Sequence, residues 1–228
     1  MFLCGWSPCN AKHLLVTCRK ALEEGRFTYR HDKVLGVVRE ALSLGLAISQ
    51  KPRAAQPPIQ FVKEGQKPRR SRKTSMGAPL VRPAPDWKIL MDSNNKHYKL
   101  PAEIAVAELY PDLLAYSLQT KQIIIVELTV PWETNIPQQH LFKTNKYHDL
   151  ASEARINGFS TQLFAVEVGA RGFPSKNMYD FLKKMGVGRK KEKEFLNRMS
   201  REALKASYLL WLRRGEQWQA GEGNVVAT

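Results

Sequence analysis

The run QIIIVELTV (122–130) constrains this chain more than any other stretch. It is β-branched and nearly continuously apolar, the pattern of a central strand covered on both faces. Glu127 stands inside it, among Ile123, Ile124, Ile125, Val126 and Val130, with no polar face to occupy. An unpaired buried carboxylate is costly, so Glu127 in such a strand needs a cation or a set of hydrogen bonds. Just upstream, Tyr110-Pro111-Asp112-Leu113-Leu114 sets a second carboxylate on a Pro-Asp turn ahead of another apolar run, and SLQTKQ (117–122) provides the turn between them. Strands of ordinary length joined this way would place Asp112 and Glu127 on neighbouring strands, under about 5 Å apart. Two anions that close repel unless a cation lies between them. Mg2+, or Mn2+ in its place, takes hard oxygen ligands and few of them from protein. The plainer reading makes Asp112 a turn residue and Glu127 an edge residue facing water.

The rest of the chain organises around that strand. RHDKVLGVVREALSLGLAISQ (30–50) has helical spacing at Val34, Leu35, Val38, Ala41, Leu42 and Leu46, with His31 or Asp32 as its cap, Asp32 the better candidate. Residues 51–86 form a basic, Pro-rich loop too charged to pack, apart from a short strand-like IQFV (59–62). The core is expected over 87–214. Its strands are WKILMD (87–92), the apolar run around YPDLL, 122–130 and TQLFAVEVGA (161–170). Its helices are 138–157, stopped at Gly158, then 175–185 and 190–213. A tail, 215–228, is expected to fray. The order of elements predicts an α/β domain with a mixed central sheet flanked by helices, behind a small Cys/His head at 1–29.

Lys143 and Lys146 share the stripe of the 138–157 helix with Tyr147, Leu150 and Ala154, which should face the sheet. A lysine on a buried stripe is unusual unless it reaches a carboxylate, although either could instead snorkel at the helix start. The three cysteines, Cys4, Cys9 and Cys18, all fall in the first eighteen residues together with His13. An odd, clustered set argues against a disulfide framework and towards zinc, and His13-x4-Cys18 has knuckle-like spacing. Three free thiols near a terminus are the alternative.

Lys and Arg outnumber Asp and Glu by 36 to 21, a formal charge of +15 that favours a polyanionic partner. Lys67, Arg69, Arg70, Arg72 and Lys73 in KPRRSRKTS (67–75) suit phosphate contacts, and equally suit a nuclear-import signal or a solvated loop. Arg213 and Arg214 lie in WLRRGEQW, whose Trp211 and Trp218 could stack on bases, with core packing the stronger reading for Trp211. No apolar run approaches the roughly 20 residues of a membrane helix, and no signal peptide is evident, so an intracellular protein with no membrane partner is expected. No serine-nucleophile elbow, phosphate-cradling glycine loop or polymerase aspartate pair is visible.

Taken together, NAKHLLVTC, RHDKVL, YPDLL, VELTVPWE, KTNKY, VEVGARGF and WLRRG, in that order from about Cys4 to Trp218, resemble the C-terminal region of site-specific non-long-terminal-repeat retrotransposon reading frames. That region joins a zinc knuckle to a restriction-like endonuclease. The resemblance implies a PD-(D/E)XK-type fold, Mg2+-dependent nicking of target DNA to prime reverse transcription, and DNA together with element RNA as partners in the nucleus. It implies Asp112 and Glu127 as metal ligands, and His13 and Cys18 as the last two knuckle ligands, with Cys4 matching the second cysteine and Cys9 either a substitute ligand or incidental. Restriction-type nucleases usually carry a lysine two residues after the second acid. Thr129 stands there, so the resemblance moves the lysine to Lys143 or Lys146, which would orient the attacking water, with Glu40 as an accessory acid. The basic residue usual before Pro-Asp is Tyr110 here. The polymerase of such frames has no counterpart, which implies a fragment or a decayed copy. An inactive nucleic-acid-binding remnant and a domesticated interaction module are the competing expectations.

Overall fold

The computed structural model describes residues 4–5, 10–50, 65, 80–92, 98–106 and 109–218. Four strands form one mixed sheet in the order β1-β2-β3-β4: β1 (Lys88–Met91), β2 (Leu113–Ser117), β3 (Gln122–Thr129) and β4 (Ser160–Glu167). The first three are antiparallel to their neighbours, and β4 runs parallel to β3 after a helical crossover. A short helix α1 (Arg19–Glu23) and a long α2 (Arg26–Ser49) precede the sheet. The crossover carries α3 (Ile136–Lys146) and α4 (His148–Ile156), and α5 (Lys176–Lys184) and α6 (Arg189–Leu212) follow β4.

The near-continuous apolar run of β3 is buried on both faces, and the alternation of side chains divides it between two cores. Ile124, Val126 and Leu128 pack with α2, α5 and α6, where Phe164 and Phe181 meet edge to face at 5.2 Å. Ile123 and Ile125 face the other way, against Tyr147, Leu150, Ala151 and Ala154. Glu127 shares the parity of the second set and so points towards α3 and α4. Gly45 lets α2 approach α5 closely, because a Cβ there would stand 2.8 Å from the Met185 Cβ and 3.0 Å from its carbonyl oxygen.

Several expectations need correction. The helix expected over 30–50 is α2, which begins at Arg26, so His31 and Asp32 lie within it and neither caps it. The expected single helix over 138–157 is two, meeting at Tyr147 (φ −104°, ψ 6°). Gly158, with φ +84°, does stand just beyond the second of them. Residues 215–218 are not frayed. The Trp218 ring is 9% exposed, lies edge-on to Tyr29 at 5.2 Å, and Arg26 donates to the Arg213 and Glu216 carbonyls at 2.7 and 2.6 Å. The apolar stacking of Trp218 and the need of buried Arg26 for acceptors tie that segment down. The strand expected at 59–62 lies outside the described residues.

Candidate active site

β2 and β3 pair with Leu113 opposite Val126, and the same register one residue further sets Asp112 across from Glu127. Each acid is held by the other's strand. The Asp112 backbone N–H donates to Glu127 Oε1 at 2.9 Å, and the Leu128 backbone N–H donates to Asp112 Oδ2 at 2.7 Å. Glu127 is fully buried, and its Oε2 accepts from the Lys143 ammonium at 2.7 Å. Asp112 Oδ2 lies 3.2 Å from His31 Nε2, whose other ring nitrogen is 3.1 Å from Asp32 Oδ1. Oδ1 of Asp112 has no hydrogen-bond partner among the described residues. Two tyrosines brace the Pro-Asp turn: the Tyr98 hydroxyl donates to the Pro111 carbonyl at 2.7 Å and the Tyr147 hydroxyl to the Tyr110 carbonyl at 3.1 Å.

The environment separates the two carboxyls electrostatically. Burial raises Glu127, the Asp112 charge raises it further, and Lys143 only partly offsets them. Burial acts on Asp112 in the same sense, but the hydrogen bond and charge of His31, then the charge of Lys143, hold it below the usual range. Asp112 therefore keeps its charge to lower pH, and Glu127 is the first to take up a proton. Burial alone would lower His31, yet its hydrogen bonds to Asp112 and Asp32 bring it to about 10. Burial likewise opposes the Lys143 charge, and Glu127 and Asp112 outweigh it.

Of the two lysines left open by the stripe, Lys143 alone reaches a carboxylate. Lys146 is exposed, and its Nζ lies 4.8 Å from the centre of the Tyr147 ring. The break between α3 and α4 follows immediately. Glu40 is remote from this site and pairs with Arg198 at 2.7 Å on the outer surface of α2 and α6. Thr129 Oγ1 is buried without a hydrogen-bond partner.

At the head, the ligand atoms of Cys4, His13 and Cys18 all lie within 4.8 Å of one another, a group that could hold a metal ion such as zinc. Both described cysteines are unbridged. Cys9 lies outside the described residues, as do Lys67, Arg69, Arg70, Arg72 and Lys73. Arg213 pairs with Glu216 at 2.8 Å and sits over the Trp218 ring, while Arg214 donates to the Trp211 carbonyl at 2.8 Å and lies over the Trp211 ring. Both of these arginines thus fold back on their own chain.

His31 is the residue that reading by element overlooks. Its signal is present, since His31, Leu35 and Val38 fall at i, i+4 and i+7 on one helical face, which makes the imidazole the inward-facing start of an apolar row. His140 is a second case. Its Nδ1 lies 2.8 Å from the buried Glu167, which also accepts from the Ser175 hydroxyl at 2.6 Å and the Asn177 amide at 3.1 Å. No protein-family model matches this sequence, and no curated protein matches it. Among the described residues, no helix is long and apolar enough to cross a membrane.

Proposed function

We propose that this chain is a restriction-like, metal-dependent DNA endonuclease module of retrotransposon origin, nicking target DNA so that the new 3′ end primes reverse transcription. One observation carries the reading: Asp112, Glu127 and Lys143, from a turn, a strand and a helix, meet at one end of the sheet, with the lysine bonded to a fully buried acid. The mixed sheet flanked by helices accommodates a PD-(D/E)XK arrangement. The donor set suits Mg2+ or Mn2+, because Asp112 Oδ1 and the Glu127 carboxylate are hard oxygens on adjacent strands. When bound, such an ion supplies Lewis acidity to the phosphodiester. The protein's own groups do the rest. Lys143 would orient the attacking water and offset charge developing on the phosphate. His31 would hold Asp112 ionised and in one rotamer. Cys4, His13 and Cys18 would carry zinc in the head. DNA and element RNA are the expected partners, in the nucleus.

The test is nicking of a supercoiled plasmid in Mg2+ or Mn2+ by wild type, Asp112→Ala and Glu127→Ala. Activity in the wild type alone supports the site, and equal nicking by all three sinks it. A second reading, an inactive nucleic-acid-binding remnant, is favoured by one feature. His31 and Lys143 already neutralise both acids from within the chain. Folded wild type that binds DNA and never nicks it would select this reading.

A further inference from the structure

A cleft of about 240 Å3 lies between the head and the end of β3. Val16 and Thr17 of the head form one wall; Arg30, Thr129, Asn135 and Gln139 contribute its polar groups. Arg30 is 2% exposed, and its guanidinium donates to uncharged oxygens alone: the Ser207 hydroxyl at 3.2 Å and the Leu15 and Val130 carbonyls at 2.8 and 3.1 Å. Among the described residues its Nε has no partner, and neither has the buried hydroxyl of Thr129. The nearest acid that bears on Arg30 is Glu133, whose two oxygens are both taken by Arg171 at 2.8 Å. A buried cation with no ion pair among the described residues, next to a hydroxyl unpartnered among them and two amide side chains, is a site for an anion.

We infer that this cleft takes a phosphodiester group of the nucleic-acid strand, one step along from the phosphate at Asp112 and Glu127. The inference rests on the nuclease reading for its ligand, and the geometry of β3 supplies the spacing. Thr129 follows Glu127 by two residues and so faces the same side of the strand, about 6.6 Å further along. A strand of nucleic acid crossing Glu127 runs on over Thr129, and the next phosphate meets Arg30. The position where restriction-type nucleases carry a lysine therefore keeps a phosphate-binding role, with the positive charge delivered from α2 behind it.

The experiment uses the full chain and a fluorescein-labelled DNA duplex in Ca2+, with affinity followed by anisotropy across a salt series. Thr129→Val and Gln139→Glu are compared with wild type, after circular dichroism melting shows each folded. Thr129→Val should weaken binding about two- to tenfold, the range for one hydrogen bond. Gln139→Glu sets a negative charge at the cleft. It should weaken binding about tenfold and flatten the slope of log K against log salt by about 0.9, one phosphate contact. Folded variants with wild-type affinity and slope overturn the proposal, as does a wild type that binds no duplex. Titration with inorganic phosphate separates the sources: phosphate binding lost in Gln139→Glu while duplex affinity stays unchanged also overturns it. Plasmid nicking keeps the two readings apart. Variant-sensitive binding without nicking removes the nuclease and leaves the cleft; Asp112-dependent nicking with insensitive binding does the reverse.

Discussion

His31 and Asp112 meet across 81 positions of sequence, Nε2 to Oδ2 at 3.2 Å, joining the second turn of the longest N-terminal helix to the Pro-Asp turn of the sheet. The contact fixes one oxygen of Asp112, while Oδ1 has no hydrogen-bond partner among the described residues. Under the proposed nuclease reading His31 is a positioning residue. His31→Gln should retain the fold but slow plasmid nicking about 10- to 100-fold, the usual effect of losing a group that orients a ligand. The Mg2+ concentration needed for half-maximal nicking should rise with it, which a purely structural histidine would not cause. An unchanged rate and Mg2+ requirement would remove His31 from the site.

Lys143 and Lys146 should separate sharply. Lys143→Met removes the ammonium bonded to Glu127, and nicking should fall at least 100-fold, in the range ascribed to a positioned proton-transfer group. It also leaves a buried carboxylate without its cation, so urea unfolding should show a loss of about 3 kcal/mol at neutral pH. Lys146→Met should match wild type in both measurements. Equal loss from the two variants would contradict the placement of α3.

Zinc is expected in the head, and mass spectrometry of the native chain or metal analysis should find about one equivalent, as for a closed structural site. Cys18→Ser should abolish it. Because Arg30 donates to the Leu15 carbonyl, loss of the metal should also loosen the head from the sheet, read as faster amide exchange at residues 13–18. Stoichiometric zinc retained by Cys18→Ser would eliminate this ligand set.

Asp86 gives a prediction for pH. Its carboxylate accepts from the Ser117 hydroxyl at 2.6 Å and from the Gln119 and Leu118 amides at 3.0 and 2.8 Å, and these bonds hold it below its ordinary value against a small opposing effect of burial. A folded value below the unfolded one means the stabilisation is present above the unfolded value, about 3.8, and is lost as pH falls through the folded one. Asp86→Ala should therefore melt below wild type at pH 7, with the gap narrowing as pH falls below about 3.8. A gap independent of pH would show that the carboxylate charge is not what pins the β2–β3 turn.

The continuous apolar run with a single acid in it was sufficient to read β3 as a central strand, and short-range spacing was enough for α5, α6 and β4. Those features depend on neighbours within a few residues, where periodicity carries the signal. The pairing of Asp112 with Glu127 was also legible, since a turn of known length between two apolar runs leaves few registers. What spacing could not resolve was which lysine turns inward. Lys143 and Lys146 share one stripe and one helix, and only the docking of α3 against the sheet brings Lys143 to Glu127. Nor could it show that Trp218 closes back on Tyr29 and Arg26, because that contact depends on α2 and α6 lying side by side.

By itself, then, the sequence determined the strands β3 and β4, the helices α5 and α6 and the two acids, because local periodicity and the cost of burying charge operate along the chain. The tertiary structure alone decided what accompanies those acids. His31 and Lys143 reach them, and Arg30 is left beside an open cleft, through packing between segments up to about a hundred residues apart. A helix fixes the direction of a side chain relative to its own axis. Only docking against the sheet fixes what that side chain meets.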